Sequence, residues 1–142
     1  MSDRDEIFDV AVRYATALDT RDWDLLRTCF LPDVVGRYGG DLGEVHGYEA
    51  LEEICKRTLD PLDGSQHIVS NLAVQIRGDE AGFSCYLQSQ HVLNDAEGGP
   101  LFTLAGRYTD LFRRTDEGWK IAERELETMW VDGNPAVLAH VL

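Results

Sequence analysis

Apolar positions near the start of the chain recur as Ile7, Val10, Ala11, Tyr14 and Leu18, the stripe of a helix with one buried face. Ser2 stands where an N-cap is expected, with Asp5 three residues on. Asp19 or Thr20 then caps a second helix holding Trp23, Leu26, Cys29 and Phe30, which Leu31-Pro32 ends. Val34 to Tyr38 predicts a strand broken by Gly39-Gly40, with a short return through Val45 and His46. A third helix is expected from Tyr48 to Leu59, with Leu51, Ile54, Cys55 and Leu59 on one face and Asp60-Pro61 as its stop.

After Pro61 the pattern changes to that of a sheet. Three long segments, Ser65 to Arg77, Gly82 to Asn94 and Leu101 to Arg114, are followed by a fourth that begins near Trp119, and turn-forming residues separate them at hairpin length. Helices first and antiparallel strands after is an α+β pattern with helices on one face of the sheet. Strands this long do not lie flat, so twist and bulges are expected, and a curled sheet closed by helices encloses a pocket. Asn134-Pro135 followed by Ala136-Val137-Leu138 predicts a short C-terminal helix over the pocket mouth or at a subunit contact.

Composition narrows the partners. The 142 residues carry 26 acidic and 13 basic side chains, a formal charge of −13, and 44% of the residues are apolar. One domain spanning 1–142 is expected, with no linker or repeat. The carboxylate excess argues against nucleic acid and against anionic membrane surfaces. No apolar run has the length of a membrane helix and no secretory leader is visible, so the expected location is the cytosol. Cys29, Cys55 and Cys85 are widely spaced among apolar residues, the pattern of buried free thiols.

Several polar side chains fall where the pattern predicts burial. Tyr14 lies on the apolar stripe of the first helix, whereas Asp19 is about 140° further round, so the helix must end near Leu18 for both to meet one cavity. His91 alternates with Phe83, Cys85, Leu87, Ser89 and Leu93 on an apolar strand face, and His67 precedes Ile68-Val69. On the last strand Ala122, Arg124, Leu126, Thr128 and Trp130 share one parity. Taken singly, each has a plainer reading: Asp19 as a helix cap, the histidines and Tyr14 as satisfied core groups, Arg124 as half of an ion pair.

The stretch Tyr14-Ala-Thr-Ala-Leu-Asp19-Thr-Arg-Asp-Trp23, then Gln66-His67-Ile-Val-Ser-Asn71, Gly106-Arg-Tyr108 with Asp110, and Gly118-Trp119-Lys-Ile with Arg124 resembles, in that order, the SnoaL-like members of the nuclear-transport-factor-like superfamily. The resemblance implies a cone-shaped, curled antiparallel sheet packed against three helices from the N-terminal half around a deep apolar pocket. It places Asp19 and His67 where the superfamily's dehydratases and dehydrochlorinase have their Asp-His pair, and Tyr14, His91 and Arg124 at further catalytic positions of several relatives. Trp23, Tyr38, Asn71, Leu87, Ser89, Phe102, Leu104, Tyr108 and Trp130 are the expected substrate-binding wall. The match departs from scytalone dehydratase at Gly106 and Tyr108, where that enzyme has pocket serine and asparagine.

The implied chemistry is that of a dehydratase-like lyase that needs no cofactor and acts on a small hydrophobic cyclic or polyketide-like substrate, with polyketide cyclase or ketosteroid-type isomerase as the alternative. A carboxylate on one imidazole nitrogen fixes the tautomer and leaves the other nitrogen free to take a proton. Tyr14 and Arg124 then stabilise charge on oxygen, and His91 protonates the departing hydroxyl. Two further readings stay open. Asp19, His67 and His91 have the ligand count of a non-haem iron site, and the same fold also serves as a non-catalytic ligand-binding or oxygenase-small-subunit-like module. A homodimer or homotrimer is expected.

Overall fold

A computed structural model describes residues 1–141. Three helices, α1 (Asp3–Thr20), α2 (Trp23–Arg27) and α3 (Tyr48–Leu59), precede or interrupt a six-stranded sheet made of β1 (Phe30–Gly39), β2 (Gly43–His46), β3 (Gly64–Arg77), β4 (Glu80–Val92), β5 (Leu101–Thr115) and β6 (Gly118–Gly133). The strand order is β2-β1-β6-β5-β4-β3. Neighbours run antiparallel except at the β1–β6 join, which is parallel. The sheet curls without closing, so β2 and β3 remain as edges. A 3₁₀ helix, Pro135–Val141, stands where the short C-terminal helix is expected. Among the described residues no helix is long and apolar enough to cross a membrane.

The first helix starts as its sequence predicts. Ser2 Oγ accepts from the Asp5 N–H, and the Asp5 carboxylate reaches back to the Ser2 N–H, so two otherwise unpaired donors are satisfied. Its inner face, Ile7, Val10, Ala11, Tyr14 and Leu18, is buried in the core against Phe83, Leu87, Tyr108 and Phe112 from the concave face of the sheet. Each aliphatic side chain of that size contributes about 1.5–3 kcal/mol on burial.

Two expectations for the helices are corrected. Helix α1 does not stop near Leu18 but runs to Thr20, where Arg21 closes it in a left-handed conformation (φ 55°). Helix α2 is capped by Asp22, whose carboxylate accepts from the Leu25 N–H at 3.0 Å, and not by Asp19 or Thr20. Phe30 belongs to β1, opposite Ile121, because the chain leaves α2 at Thr28 and Pro32 sits where the β1–β6 register is interrupted. A proline is tolerated there because no ladder N–H is needed.

Bulges curl the long strands and decide which side chains face inward. Between Ser70 and Ala73 the β3–β4 register slips, and Asn71 takes a left-handed conformation (φ 54°) in the slip, a geometry asparagine tolerates better than most residues. On β6 a second slip leaves Met129 unmatched between Thr128, opposite Gly106, and Trp130, opposite Ala105. Beyond it the parity reverses and Trp130 points outward, about half exposed. That reversal overturns the inward placement expected from simple alternation.

Gly106 explains a departure from the scytalone dehydratase pattern. A Cβ at this position would lie 2.7 Å from the Glu127 carbonyl oxygen and 3.0 Å from Leu126 Cδ1, so the β6 backbone forbids a side chain there. Gly106→Ser is expected to destabilise the protein by about 1–3 kcal/mol, read as a lower midpoint with an unchanged slope in urea unfolding.

Candidate active site

Between α1, α3, the concave sheet, the β1–β2 hairpin and the C-terminal 3₁₀ segment lies a cavity of about 380 Å³. Its wall is largely apolar, with Leu18, Ile54, Leu59, Leu87, Leu104, Leu126 and Leu138. Polar groups are few: Tyr14, Tyr38, His67, Ser89, His91 and Tyr108, with Asp41 and Thr58. A concave apolar site with a small number of placed polar groups is the usual form of a small-molecule pocket, and this volume falls in the usual range.

Strand register brings the two histidines together. His67 on β3 is opposite Ser89 on β4, and His91 lies two residues along β4 on the same inward face, so the imidazoles meet edge to face with centroids 6.1 Å apart. Helix α1 presents Asp19 from the other side. Its Oδ1 lies 2.7 Å from His67 Nδ1 and its Oδ2 accepts from the His67 backbone N–H at 2.7 Å. Ser65 Oγ donates to Oδ1 at 3.1 Å. Burial works against the Asp19 charge, but these hydrogen bonds and the imidazole outweigh it and hold the carboxyl below its usual 3.8. With the Nδ1 proton given to Asp19, His67 Nε2 is left as the acceptor, and no protein group among the described residues bonds to it.

His91 is held differently. Its Nδ1 donates to the Phe102 carbonyl oxygen at 3.1 Å, which leaves Nε2 as a second acceptor. Burial pushes its pKa down to about 4, although the Phe102 carbonyl pulls the other way. A neutral imidazole at pH 7 holds no spare proton, and its Nε2 is then a hydrogen-bond acceptor.

Tyr14 and Tyr108 form a second polar cluster, their hydroxyls 2.8 Å apart. Burial raises both phenols against the opposing pull of the Arg124 charge, Tyr14 well above 10 and Tyr108 to about 12. Arg124 itself is buried behind them and does not reach the cavity wall. Its Nε and Nη2 donate to the Asp110 carboxylate at 2.9 and 2.8 Å. Desolvation opposes the guanidinium charge, yet the Asp110 carboxylate prevails and lifts its pKa above the usual arginine value. The expected contact between Arg124 and a substrate oxyanion is thus corrected, because the arginine is already paired.

Of the other expected wall residues, Tyr38, Leu87, Ser89, Leu104 and Tyr108 line the cavity and four do not. Asn71 is the exposed bulge residue of β3. Trp23 opens α2, half-buried beneath Lys56, and lines a separate charged cleft with Arg27 and Glu52. Phe102 packs against the His91 ring and acts through its carbonyl. Trp130 faces outward. Asp19 also stays off the wall and acts through His67, because α1 continues past it. Among the described residues Asp19, His67 and His91 do not form a converging ligand set, since the carboxylate is turned onto His67 and Ser65.

Three residues of this site carried no assigned role in the sequence. Asp110 shares the inward parity of Tyr108 and Phe112, which is a visible signal, but its pairing with Arg124 depends on the β5–β6 register. Ser65 and Arg21 lie behind the Asp19–His67 pair. Arg21 Nη1 donates to the Leu18 carbonyl and to Ser65 Oγ (2.6 and 2.9 Å), and Nη2 donates to the Leu59 carbonyl (3.1 Å). It ties the ends of α1 and α3 to β3 and places a cation at the negative end of α1.

Residues 1–125 match the family described as the SnoaL-like domain. An uncharacterized protein of Mycobacterium tuberculosis (strain H37Rv) is 31% identical over 125 residues, covering 87% of this chain and 84% of that protein. A putative aromatic ring hydroxylase from Novosphingobium aromaticivorans is similar in structure with a TM-score of 0.84 and 28% identity, over 96% of both chains. A putative scytalone dehydratase from the same organism has a TM-score of 0.82 at 23% identity, over 91% of this chain and 85% of that one.

The depressed His91 pKa makes stability depend on pH. From about 6.5 down to about 4 the unfolded chain takes up a proton at this position and the folded chain does not, so folding weakens as pH falls through that window. The total loss is about 3 kcal/mol. Unfolding by urea between pH 7 and 4 should show this slope in the native protein and a shallower one in His91→Gln.

Proposed function

The chain belongs to the SnoaL-like family, and from that premise we propose that it is a dehydratase-type lyase whose acid–base groups all come from the protein. Its substrate is a small hydrophobic cyclic or polyketide-like hydroxy-carbonyl compound. The observation that carries this reading is the Asp19–His67 pair at 2.7 Å, with His67 lining a largely apolar cavity. The similar structure named a putative scytalone dehydratase supports elimination as the reaction class.

His67 Nε2 takes the proton from the carbon next to the substrate carbonyl, and the Asp19 carboxylate stabilises the imidazolium that forms. Negative charge moves to the carbonyl oxygen. The Tyr14–Tyr108 hydroxyl pair retains one O–H to donate to it, because one hydroxyl donates to the other. When the enolate collapses, the carbon–oxygen bond to the hydroxyl breaks and His67 returns its proton to that oxygen, releasing water. His91 Nε2 accepts a hydrogen bond from the same hydroxyl and orients it toward His67. The largely apolar wall of the cavity strengthens each of these electrostatic interactions.

Exchange of substrate carbon-bound hydrogen in deuterated water, followed by mass spectrometry across a panel of hydroxy-ketones, phenols and enones, tests the assignment. A turned-over compound should exchange and lose water with the native protein, and Asp19→Asn and His67→Ala should each slow exchange by about 10²–10⁴-fold. Equal rates in all three proteins would overturn it.

A further inference from the structure

The buried guanidinium of Arg124 is bracketed by the two tyrosines. Its central carbon lies 3.8 Å from the Tyr108 ring centroid and 4.2 Å from that of Tyr14. Asp110 holds Nε and Nη2, while Nη1 has no hydrogen-bond partner among the described residues. The aromatic faces are what remains to this nitrogen, and an N–H directed at a ring face is a weak but real interaction. The two rings stand 85° to one another with their hydroxyls joined, and both line the cavity while the arginine does not.

A cation against an aromatic face is attracted by the ring quadrupole. The same field acts back on the ring, stabilising negative charge on the phenol oxygen and so strengthening its O–H as a donor. We infer that Arg124, fixed by Asp110, is a positioning residue for the tyrosine pair: it holds both rings at the cavity wall and strengthens their shared hydroxyl donor without touching substrate. The oxyanion that this donor would serve rests on the function proposed above. The action of the guanidinium on two phenols does not, and it is measurable with no substrate present.

The arrangement also accounts for why the cation is neither open to the cavity nor omitted. A guanidinium exposed in the cavity would bind carboxylates and phosphates directly. Behind the tyrosines its charge is neutralised by Asp110 at the level of the whole site, and its influence is delivered through two neutral hydroxyls.

Protein carrying 3,5-difluorotyrosine in place of tyrosine, whose phenols ionise at lower pH, can be titrated by fluorine NMR, with Tyr14→Phe and Tyr108→Phe identifying the two resonances. Half-exposed Tyr86 serves as the internal reference. In Asp110→Asn/Arg124→Gln, which keeps hydrogen-bonding groups but no charges, the ionisation constants of the pair are expected to fall at least about tenfold. In Asp110→Asn alone, where the cation loses its counter-ion, they are expected to rise. Should Asp110→Asn not fold, because it leaves the buried cation unpaired, the double variant decides the matter by itself. Constants that stay at the native values in a folded variant, with Tyr86 unchanged, would show that Arg124 is only a structural staple and overturn the inference. Loss of the exchange activity's dependence on Asp19 and His67 would leave this titration untouched, so the two failures are distinguishable.

Discussion

A guanidinium taken out of water has to find its partners inside the protein, and around Arg124 that requirement joins three elements. Strand β5 supplies Asp110, β6 supplies the arginine, and α1 supplies the Tyr14 face, with Tyr108 of β5 opposite. Removing one partner of such a buried pair typically costs about 3–5 kcal/mol, because the charge left behind is unpaired. The register of β5 on β6 and the docking of α1 on the sheet are thereby linked to one electrostatic condition. The cavity lies directly above this unit.

Two different strategies supply hydrogen bonding in the cavity. At one end Asp19 and the Phe102 carbonyl each take an Nδ1 proton, so His67 and His91 both present acceptors. At the other, two hydroxyls bonded to each other present a donor. Burial keeps His91 neutral. The two like residues also differ in what each Nδ1 touches, a carboxylate for His67 and a backbone carbonyl for His91.

Much of the fold was legible in the chain. The capping residues Ser2 and Asp5, the stripe from Ile7 to Leu18, the third helix and the four long strands all appear close to where local pattern places them. So does the inward aim of His91, since alternation along a strand interrupted by no bulge is reliable. Errors cluster where one residue more or less changes a direction. Met129 reverses the parity beyond it and sends Trp130 outward, Asn71 is spent on a bulge, and two further residues of helix α1 turn Asp19 away from the cavity. Alternation and helical period contain no term for such slips, because a slip is set by how neighbouring strands pair.

The amino-acid sequence by itself determined the order of helices and strands, the acidic exterior, and the polar residue types carried into an apolar interior. These follow from periodicity, turn chemistry and charge, all of which act over a few residues. Tertiary structure alone decided what those polar residues touch: Asp19 on His67 and Ser65, His91 on a backbone carbonyl, Arg124 on Asp110 and two tyrosine faces. Partners 11 to 110 residues apart meet through strand register and helix docking, and the direction of each group depends on that meeting. The chemistry of a side chain is written in its residue type, whereas its role is assigned by the neighbour that burial forces upon it.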